Sequence, residues 1–268
     1  MSAALHGHLN VVEFLVQNNA NINLASNTGW TALMSAAQNG HLNVVEFLVQ
    51  NDANINHANN DGITALMTAA QMGHLNVVEF LVQNGAQIDH ADNIGWTALM
   101  LAALHGHLNV VEFLVQNGAN INLADNNGNT ALMSAAFNGY LNVVEFLFQN
   151  GANINLASNT GWTALMVAAL HGHLNVVEFL FQNGANINLA NNNGNTALMV
   201  VDQRRHPDIV KFLLSKLTII NILIEPRYFE MKPYILTESL KRPDFVIGLA
   251  LIGVSLYGLY KLAHYKKS

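Results

Sequence analysis

The chain repeats itself at intervals of 33 residues. A threonine returns at each interval, and so does a histidine that a tyrosine replaces once. The threonines are Thr31, Thr64, Thr97, Thr130, Thr163 and Thr196, and the second series is His8, His41, His74, His107, Tyr140, His173 and His206. A fixed period of this length is the signature of a solenoid, in which each unit covers the apolar face of its neighbour. The period therefore predicts an extended surface for partners rather than an enclosed catalytic pocket.

The unit at residues 92–124 shows how one repeat is built. Thr97 is a good helix N-cap, and the segment ALMLAAL after it consists of helix formers, which predicts a first helix. A second helix is predicted over NVVEFLVQN, with its valines, phenylalanine and leucine on a wide apolar face. Gly118 then stands where a positive φ angle is needed, and the first two copies have Asn19 and Asp52 there. The closing stretch ANINLADNNGN predicts a hairpin-like connector.

These pieces resemble the ankyrin repeat. They are TALM at 97–100, GH at 106–107, VVEFL at 110–114 and GA at 118–119, and they return in register through about 220 of the 268 residues. The resemblance implies an all-α solenoid of stacked helix-turn-helix repeats. Alanine replaces the family proline, and methionine replaces the family histidine of the first helix, which predicts apolar packing there. These methionines are Met34, Met67, Met100, Met133, Met166 and Met199.

The period divides the chain into an array and a tail. We predict an ankyrin-repeat array over 1–224, with a partial repeat at 1–25, full repeats over 26–190 and a degenerate capping repeat at 191–224. A linker at 225–243 holds three of the four prolines.

Met1 falls at the position of the repeat methionine, so the first unit lacks its connector and N-cap. One hypothesis is that a longer array precedes this methionine. The other is a half-repeat that frays and caps the array poorly.

Charge divides the chain at an earlier point, inside the degenerate repeat. Residues 1–203 contain twelve Asp or Glu and no Lys or Arg, whereas 204–268 contain eleven basic and five acidic residues. An acidic array argues against nucleic acid as a partner.

The residues that carry enzyme chemistry are scarce. The chain has no cysteine, which excludes disulfides and thiolate sites, and it has no phosphate-loop, dinucleotide-binding or nucleophile-elbow motif. Three HGH sequences, at 6–8, 105–107 and 171–173, contain the Gly-His of the repeat and supply too few ligands for a zinc site. We therefore predict no enzyme activity, no cofactor, no metal site and no small-molecule substrate.

The positions that vary between repeats predict a partner surface. The resemblance implies that partners dock on a concave face made by connector tips and first helices. At those positions the middle of the array collects aromatic and aliphatic residues edged by histidine and asparagine, which suits an apolar or aromatic segment of a protein partner. We call this set the predicted partner surface: Trp96, Leu101, Leu104, His105, Asn129, Phe137, Asn138, Trp162, Val167, Leu170 and His171. The alternative is that neighbouring connectors cover several of them.

The tail contains an uncharged run, FVIGLALIGVSLYGLY, at 245–260. We predict a separate hydrophobic helix at 244–264 that anchors the chain in a membrane, with Phe245, Tyr257 and Tyr260 at the interfaces and Lys261 reaching the headgroups. This arrangement resembles a tail anchor and would leave the array facing the cytosol. The alternative is an apolar helix packed over the last repeat.

Together these features predict a protein–protein interaction scaffold, tethered to a membrane at its C-terminus. Two other interpretations stay open. One is a soluble cytoplasmic adaptor or inhibitor with a C-terminal capping helix, and the other is the regulatory fragment of a larger enzyme or channel.

Overall fold

The computed structural model describes residues 1–201 and 205–224, with side chains described as far as residue 217. Two compact units are distinguished, Met1–Val201 and Asp202–Ser268, and each is considered by itself. The predicted linker at 225–243 and the predicted anchor at 244–264, with Phe245, Tyr257, Tyr260 and Lys261, lie outside the described residues.

Helices follow one another in pairs, a first and a second helix in each repeat. The first helices are α1 (Ser2–Leu5), α3 (Ala32–Gln38), α5 (Ala65–Met72), α7 (Ala98–Leu104), α9 (Ala131–Asn138), α11 (Ala164–His171) and α13 (Ala197–Val200). The second helices are α2 (Leu9–Gln17), α4 (Leu42–Gln50), α6 (Leu75–Gln83), α8 (Leu108–Gln116), α10 (Leu141–Gln149), α12 (Leu174–Gln182) and, in the second unit, α14 (Pro207–Ile224). The prediction of an all-α solenoid is confirmed.

Each full first helix begins at the predicted threonine. The Thr97 hydroxyl accepts a hydrogen bond from the Met100 amide at 3.4 Å, and Thr31, Thr64, Thr130 and Thr163 do the same. This bond satisfies one of the amides that a helix start leaves free. The last threonine, Thr196, makes no such bond at the short helix α13.

Left-handed backbone ends the helices where the sequence predicts it. Gly118 has φ +90°, and Asn19 and Asp52 adopt φ values of 63° and 66° at the same repeat position. At Gly106, with φ +74°, a Cβ atom would lie only 2.7 Å from the Tyr140 ring, so glycine is needed there for space as well as for conformation.

The core lies between the two rows of helices. Each internal first helix buries a leucine, a methionine and two alanines, and each internal second helix buries two valines and a leucine. The methionines from Met34 to Met166 are at most 3% exposed, which confirms the predicted apolar packing at the family histidine position. Met199, in the degenerate repeat, is 41% exposed.

Connectors between the helix pairs are hairpin-like. Isolated antiparallel bridges join Ala124 to Thr130, Ala157 to Thr163 and Ala190 to Thr196, and no longer strand forms in the described part of the chain. Each bridge brings the chain back to the threonine that starts the next first helix.

The second unit is described only over residues 205–224. Helix α14 begins at Pro207, where a missing amide costs little, and Asp208 lies in its first turn. Across both described ranges, no helix is long and apolar enough to cross a membrane.

Candidate functional site

Three consecutive first helices and the connectors before them carry the predicted partner surface. Leu101 and Leu104 lie on α7, Phe137 and Asn138 on α9, and Val167, Leu170 and His171 on α11. His105 caps the end of α7, and Trp96, Asn129 and Trp162 each precede the threonine that starts a first helix. Helix α9 packs against both α7 and α11, so these side chains belong to adjacent layers of one array.

Direct contacts link four of these residues across the layers. The Phe137 and His171 rings lie with their centroids 4.1 Å apart and their planes at 50°. The Asn138 side-chain amide donates a hydrogen bond to the Leu104 carbonyl at 2.7 Å. Their relative positions are therefore fixed by the stacking of α7, α9 and α11.

Solvent reaches every member of the predicted partner surface. Phe137 is 45% exposed and Leu170 39% exposed, and His105, Asn138 and His171 are exposed as well. The two tryptophans and the remaining members are half-buried. The tryptophans are thus partly covered without being enclosed.

Hydrogen bonds to the backbone hold the tryptophan connectors in shape. The Trp96 amide donates to the Asp92 carboxylate at 2.8 Å, and the Trp162 amide donates to the Ser158 hydroxyl at 3.1 Å. Asn129 is tied twice to Asp125, through its backbone amide at 2.7 Å and its side-chain amide at 3.0 Å. A partner would therefore meet a connector that is already ordered, which lowers the entropy lost on binding.

The HGH histidines take part in the stacking of repeats. The rings of His105 and His107 lie parallel, with centroids 6.0 Å apart. His107 donates from Nε2 to the Gln71 carbonyl of the preceding repeat at 2.9 Å, and His173 donates in the same way to the Phe137 carbonyl. Over residues 1–201 and 205–224, no group of three histidine or acidic side chains is placed to hold a metal ion.

A ladder of asparagines runs along the connector tips, and sequence reasoning did not foresee it. Each side-chain amide donates to the backbone carbonyl of the equivalent asparagine one repeat earlier, at 2.9 to 3.0 Å. The members of this tip ladder are Asn27, Asn60, Asn93, Asn126, Asn159 and Asn192. Its signal in the sequence is an asparagine that recurs with the 33-residue period.

A second ladder joins neighbouring connectors near the ends of the second helices. Asn56 accepts from the Gln87 amide through Oδ1 and donates to the Gly85 carbonyl through Nδ2, and Asn122 and Asn155 repeat both bonds. Asn supplies both a donor and an acceptor, which explains why this chain uses it so heavily. Asp89 takes this position in one repeat, where its carboxylate accepts the Asn120 amide at 3.0 Å, and the other links of the two ladders are uncharged.

Asn138 makes a hydrogen bond in place of one that the fourth full repeat lacks, the bond from the Gly-His histidine to the preceding repeat. Tyr140 stands where other repeats have the histidine that bonds to the preceding repeat, and its ring packs over Gly106. The Leu104 carbonyl, which a histidine at that position would reach, receives the Asn138 amide instead. Asn138 was predicted only as an edge of the partner surface. The tyrosine two residues later was the signal for its second role.

Comparisons with known proteins agree with this architecture. A family model described as ankyrin repeats (3 copies) matches residues 1–92, 87–158 and 150–224. Among solved structures, the chain is similar to the ankyrin repeat domain of human ASB11, with 25% identity and a TM-score of 0.72, covering 80% of this chain and 95% of that chain. No curated protein matches the chain. The family model spans most of the chain, and the chain therefore belongs to the ankyrin-repeat family.

Proposed function

We propose that this chain is a scaffold that binds a protein partner on the predicted partner surface. An ankyrin-repeat domain indicates protein–protein interaction rather than catalysis. The observation that carries the finer proposal is a group of aromatic and aliphatic side chains on three adjacent first helices, among which Phe137 and Leu170 are the most exposed.

The chemistry of this surface favours an apolar or aromatic segment of the partner. Aromatic side chains dominate the binding energy of protein interfaces, and here Trp96, Phe137 and Trp162 supply them. His105, Asn129 and His171 border this group with polar atoms that can bond to a partner backbone. The predicted partner surface lies within residues 1–203, which contain no Lys or Arg, so it offers neither of these cations to an acidic segment.

Peptide selection tests the proposal directly on this surface. Random peptides displayed on phage are selected on the wild-type chain, and the binders are measured against a variant with Trp96→Ala and Trp162→Ala. We expect selected peptides rich in aromatic and aliphatic residues, and a loss of affinity of at least about tenfold, since truncation of a central aromatic residue costs about 2 kcal/mol or more.

Trp30→Ala is the matched control. Trp30 is half-buried at the same connector position, and its amide bonds to Ser26 as that of Trp162 bonds to Ser158. It lies outside the predicted partner surface, so affinity should stay within about twofold. Equal binding of the peptides to the double variant and the wild type, with both folded, would remove this surface as the site.

We further propose that residues 244–264 tether the chain to a membrane. The support is the uncharged run at 245–260, flanked by Lys241, Arg242, Lys266 and Lys267. Membranes from cells that make the full chain or a 1–243 truncation are washed with alkaline carbonate. We expect the full chain in the pellet and the truncation in the supernatant. Release of both would favour the soluble adaptor with a capping helix.

A further inference from the structure

An asparagine followed by a glycine is the pair most prone to lose its side-chain amide. Asparagine is a thermolabile residue, and glycine has no side chain to hinder attack by its own backbone nitrogen. The chain contains eight such pairs, and their asparagines are Asn39, Asn84, Asn117, Asn127, Asn138, Asn150, Asn183 and Asn193. An unfolded chain exposes all eight alike, so any difference in their reactivity comes from the fold.

Six of the eight asparagines lie at the end of a helix, where their side chains are held. The side-chain amide of each donates a hydrogen bond to a backbone carbonyl, at 2.7 to 2.9 Å. At Asn117 the backbone is tied as well, since its amide donates to the Phe113 carbonyl at 3.0 Å and the Gly118 amide donates to the Val115 carbonyl at 3.1 Å. Ring closure at these positions therefore requires the end of a helix to unwind.

Asn127 and Asn193 lie instead at connector tips, where their side chains are not held. Both are exposed, and within the described part of the chain the side-chain amide of neither makes a hydrogen bond. Most of the six asparagines at helix ends are exposed too, so the hydrogen bond and not exposure separates the two groups. The Gly128 amide donates to the Asp125 carbonyl at 2.9 Å, and the glycine after Asn193 makes the equivalent bond at 2.8 Å. Each glycine nitrogen is therefore released when a connector turn opens, and no helix has to unwind.

We propose that Asn127 and Asn193 are modification sites, at which the folded chain loses a side-chain amide and forms isoaspartate. At Asn127 the Gly128 nitrogen forms a bond to the side-chain carbon Cγ and gives up its proton, and the Nδ2 group leaves as ammonia. The product is a five-membered succinimide ring. Water then adds to one of the two ring carbonyl carbons and opens the ring, which gives either aspartate or isoaspartate. These steps need no oxidant or reductant, and water is the only co-reactant.

Only one of the two products fits the connector turn. Asp61 occupies the position of Asn127 two repeats earlier, and its carbonyl accepts the Asn93 amide at 3.0 Å, as the Asn127 carbonyl accepts the Asn159 amide at 2.8 Å. Aspartate therefore keeps this bond between neighbouring connectors. Isoaspartate lengthens the main chain of the turn by a methylene group and converts the accepting carbonyl into a free carboxylate. The contact between the two connectors is weakened wherever isoaspartate forms.

Incubation of the folded full chain at neutral pH, followed by mass spectrometry, tests the proposal. The protease Glu-C cleaves after the glutamates of the second helices, and it is used because residues 1–203 contain no Lys or Arg for trypsin. Fragmentation of the peptides locates each converted asparagine. We expect Asn127 and Asn193 to convert at least about fivefold faster than the other six, the factor that one retained hydrogen bond represents. In guanidinium chloride, where the chain is unfolded, all eight should convert at similar rates.

A variant with Asn127→Thr and Asn193→Thr is the matched control, because Thr28 and Thr160 occupy the same turn position in other repeats. Isoaspartate is measured by its labelling with a protein isoaspartyl methyltransferase and a radioactive methyl donor. The incubated wild type should be labelled, and the folded variant should lose most of this label. Equal label in both proteins would overturn the proposal, and so would equal conversion of all eight asparagines in the folded chain. Intact Asn127 and Asn193 under conditions in which the unfolded chain reacts would contradict it as well.

Discussion

At one position of the connector turn, the side chain accepts hydrogen bonds from two backbone amides that follow it. Asp92 accepts the amides of Ile94 and Trp96 through one carboxylate oxygen, at 3.0 and 2.8 Å. Asn59, one repeat earlier, accepts the equivalent two amides at 3.0 and 2.8 Å. Its own side-chain amide is buried without a partner. The position therefore requires an acceptor, and an asparagine there leaves a donor unsatisfied.

Asn59→Asp should stabilise the array. The carboxylate keeps both accepted bonds, as at Asp92, and removes the buried amide, whose desolvation costs about 1 kcal/mol or more. Urea unfolding followed by tryptophan fluorescence should show a higher midpoint. Asn60→Asp makes the same charge change one residue later, but it removes the Asn60 amide that donates to the Asn27 carbonyl at 3.0 Å. That control should lower the midpoint, and shifts of the same sign in both variants would contradict this account.

At the scale of helices, neighbouring repeats are joined by polar bonds as well as by apolar packing. The Gly-His histidine lies at the start of a second helix. It normally bonds to a carbonyl near the end of the first helix of the preceding repeat, as His107 does to Gln71 on α5. Between α7 and α9 the bond comes from Asn138 instead, since Tyr140 has replaced the histidine. One residue of the predicted partner surface therefore also stabilises the array.

Asn138→Ala should destabilise the wild type more than it destabilises a Tyr140→His variant. In the wild type the Leu104 carbonyl loses its donor, at a cost of about 1 kcal/mol, whereas the imidazole introduced by Tyr140→His would restore a donor from its Nε2 atom. Urea unfolding of the four proteins gives the coupling between the two positions. Asn39→Ala serves as control, because Asn39 donates within its own helix to Ser35, and Tyr140→His should not alter its effect. Equal losses from Asn138→Ala in both backgrounds would show that the two side chains do not substitute for each other.

Sequence predicted the elements well and the contacts between them less well. Thr97 caps a helix, Gly118 adopts a positive φ angle and Met100 packs in the core, and each of these roles can be predicted from the residue type alone. The partners of Asn60 and Asn138 lie 33 and 34 residues away, respectively. Which carbonyl each amide reaches depends on how the helices stack, and one sequence does not give this. The exposure of Phe137 and the partial cover over Trp96 likewise became visible only in three dimensions.

At the scale of the whole molecule, the repeats up to residue 201 carry charge of one sign. Residues 1–201 contain eleven acidic residues and no Lys or Arg, and a half-buried glutamate recurs on every internal second helix. These repeats are held together by apolar burial and by hydrogen-bond ladders made almost entirely of uncharged asparagines. Like charges in successive repeats repel one another, and added salt screens this repulsion.

Salt should therefore stabilise the array. Raising NaCl from about 10 to about 200 mM should raise the urea midpoint by an amount equivalent to roughly 1 kcal/mol, since many weak repulsions are screened together. All three tryptophans lie in the array, so fluorescence reports on this region alone. A variant with Glu112→Gln and Glu145→Gln should depend less on salt. A midpoint that falls with NaCl, or an unchanged dependence in the variant, would show that repulsion between repeats is unimportant.

The tip ladder also bears on how the number of repeats can change. Every rung joins equivalent asparagines 33 residues apart through the same two groups. If residues 92–124 were deleted, Asn126 would follow Asn60 at the spacing that Asn93 now keeps, and its amide would meet the Asn60 carbonyl. A gene that loses or gains one 33-residue unit by misaligned recombination would thus encode a chain in which the asparagine hydrogen bonds between neighbouring repeats still form. The length of the array is free to vary in the DNA, while each junction between neighbours stays the same.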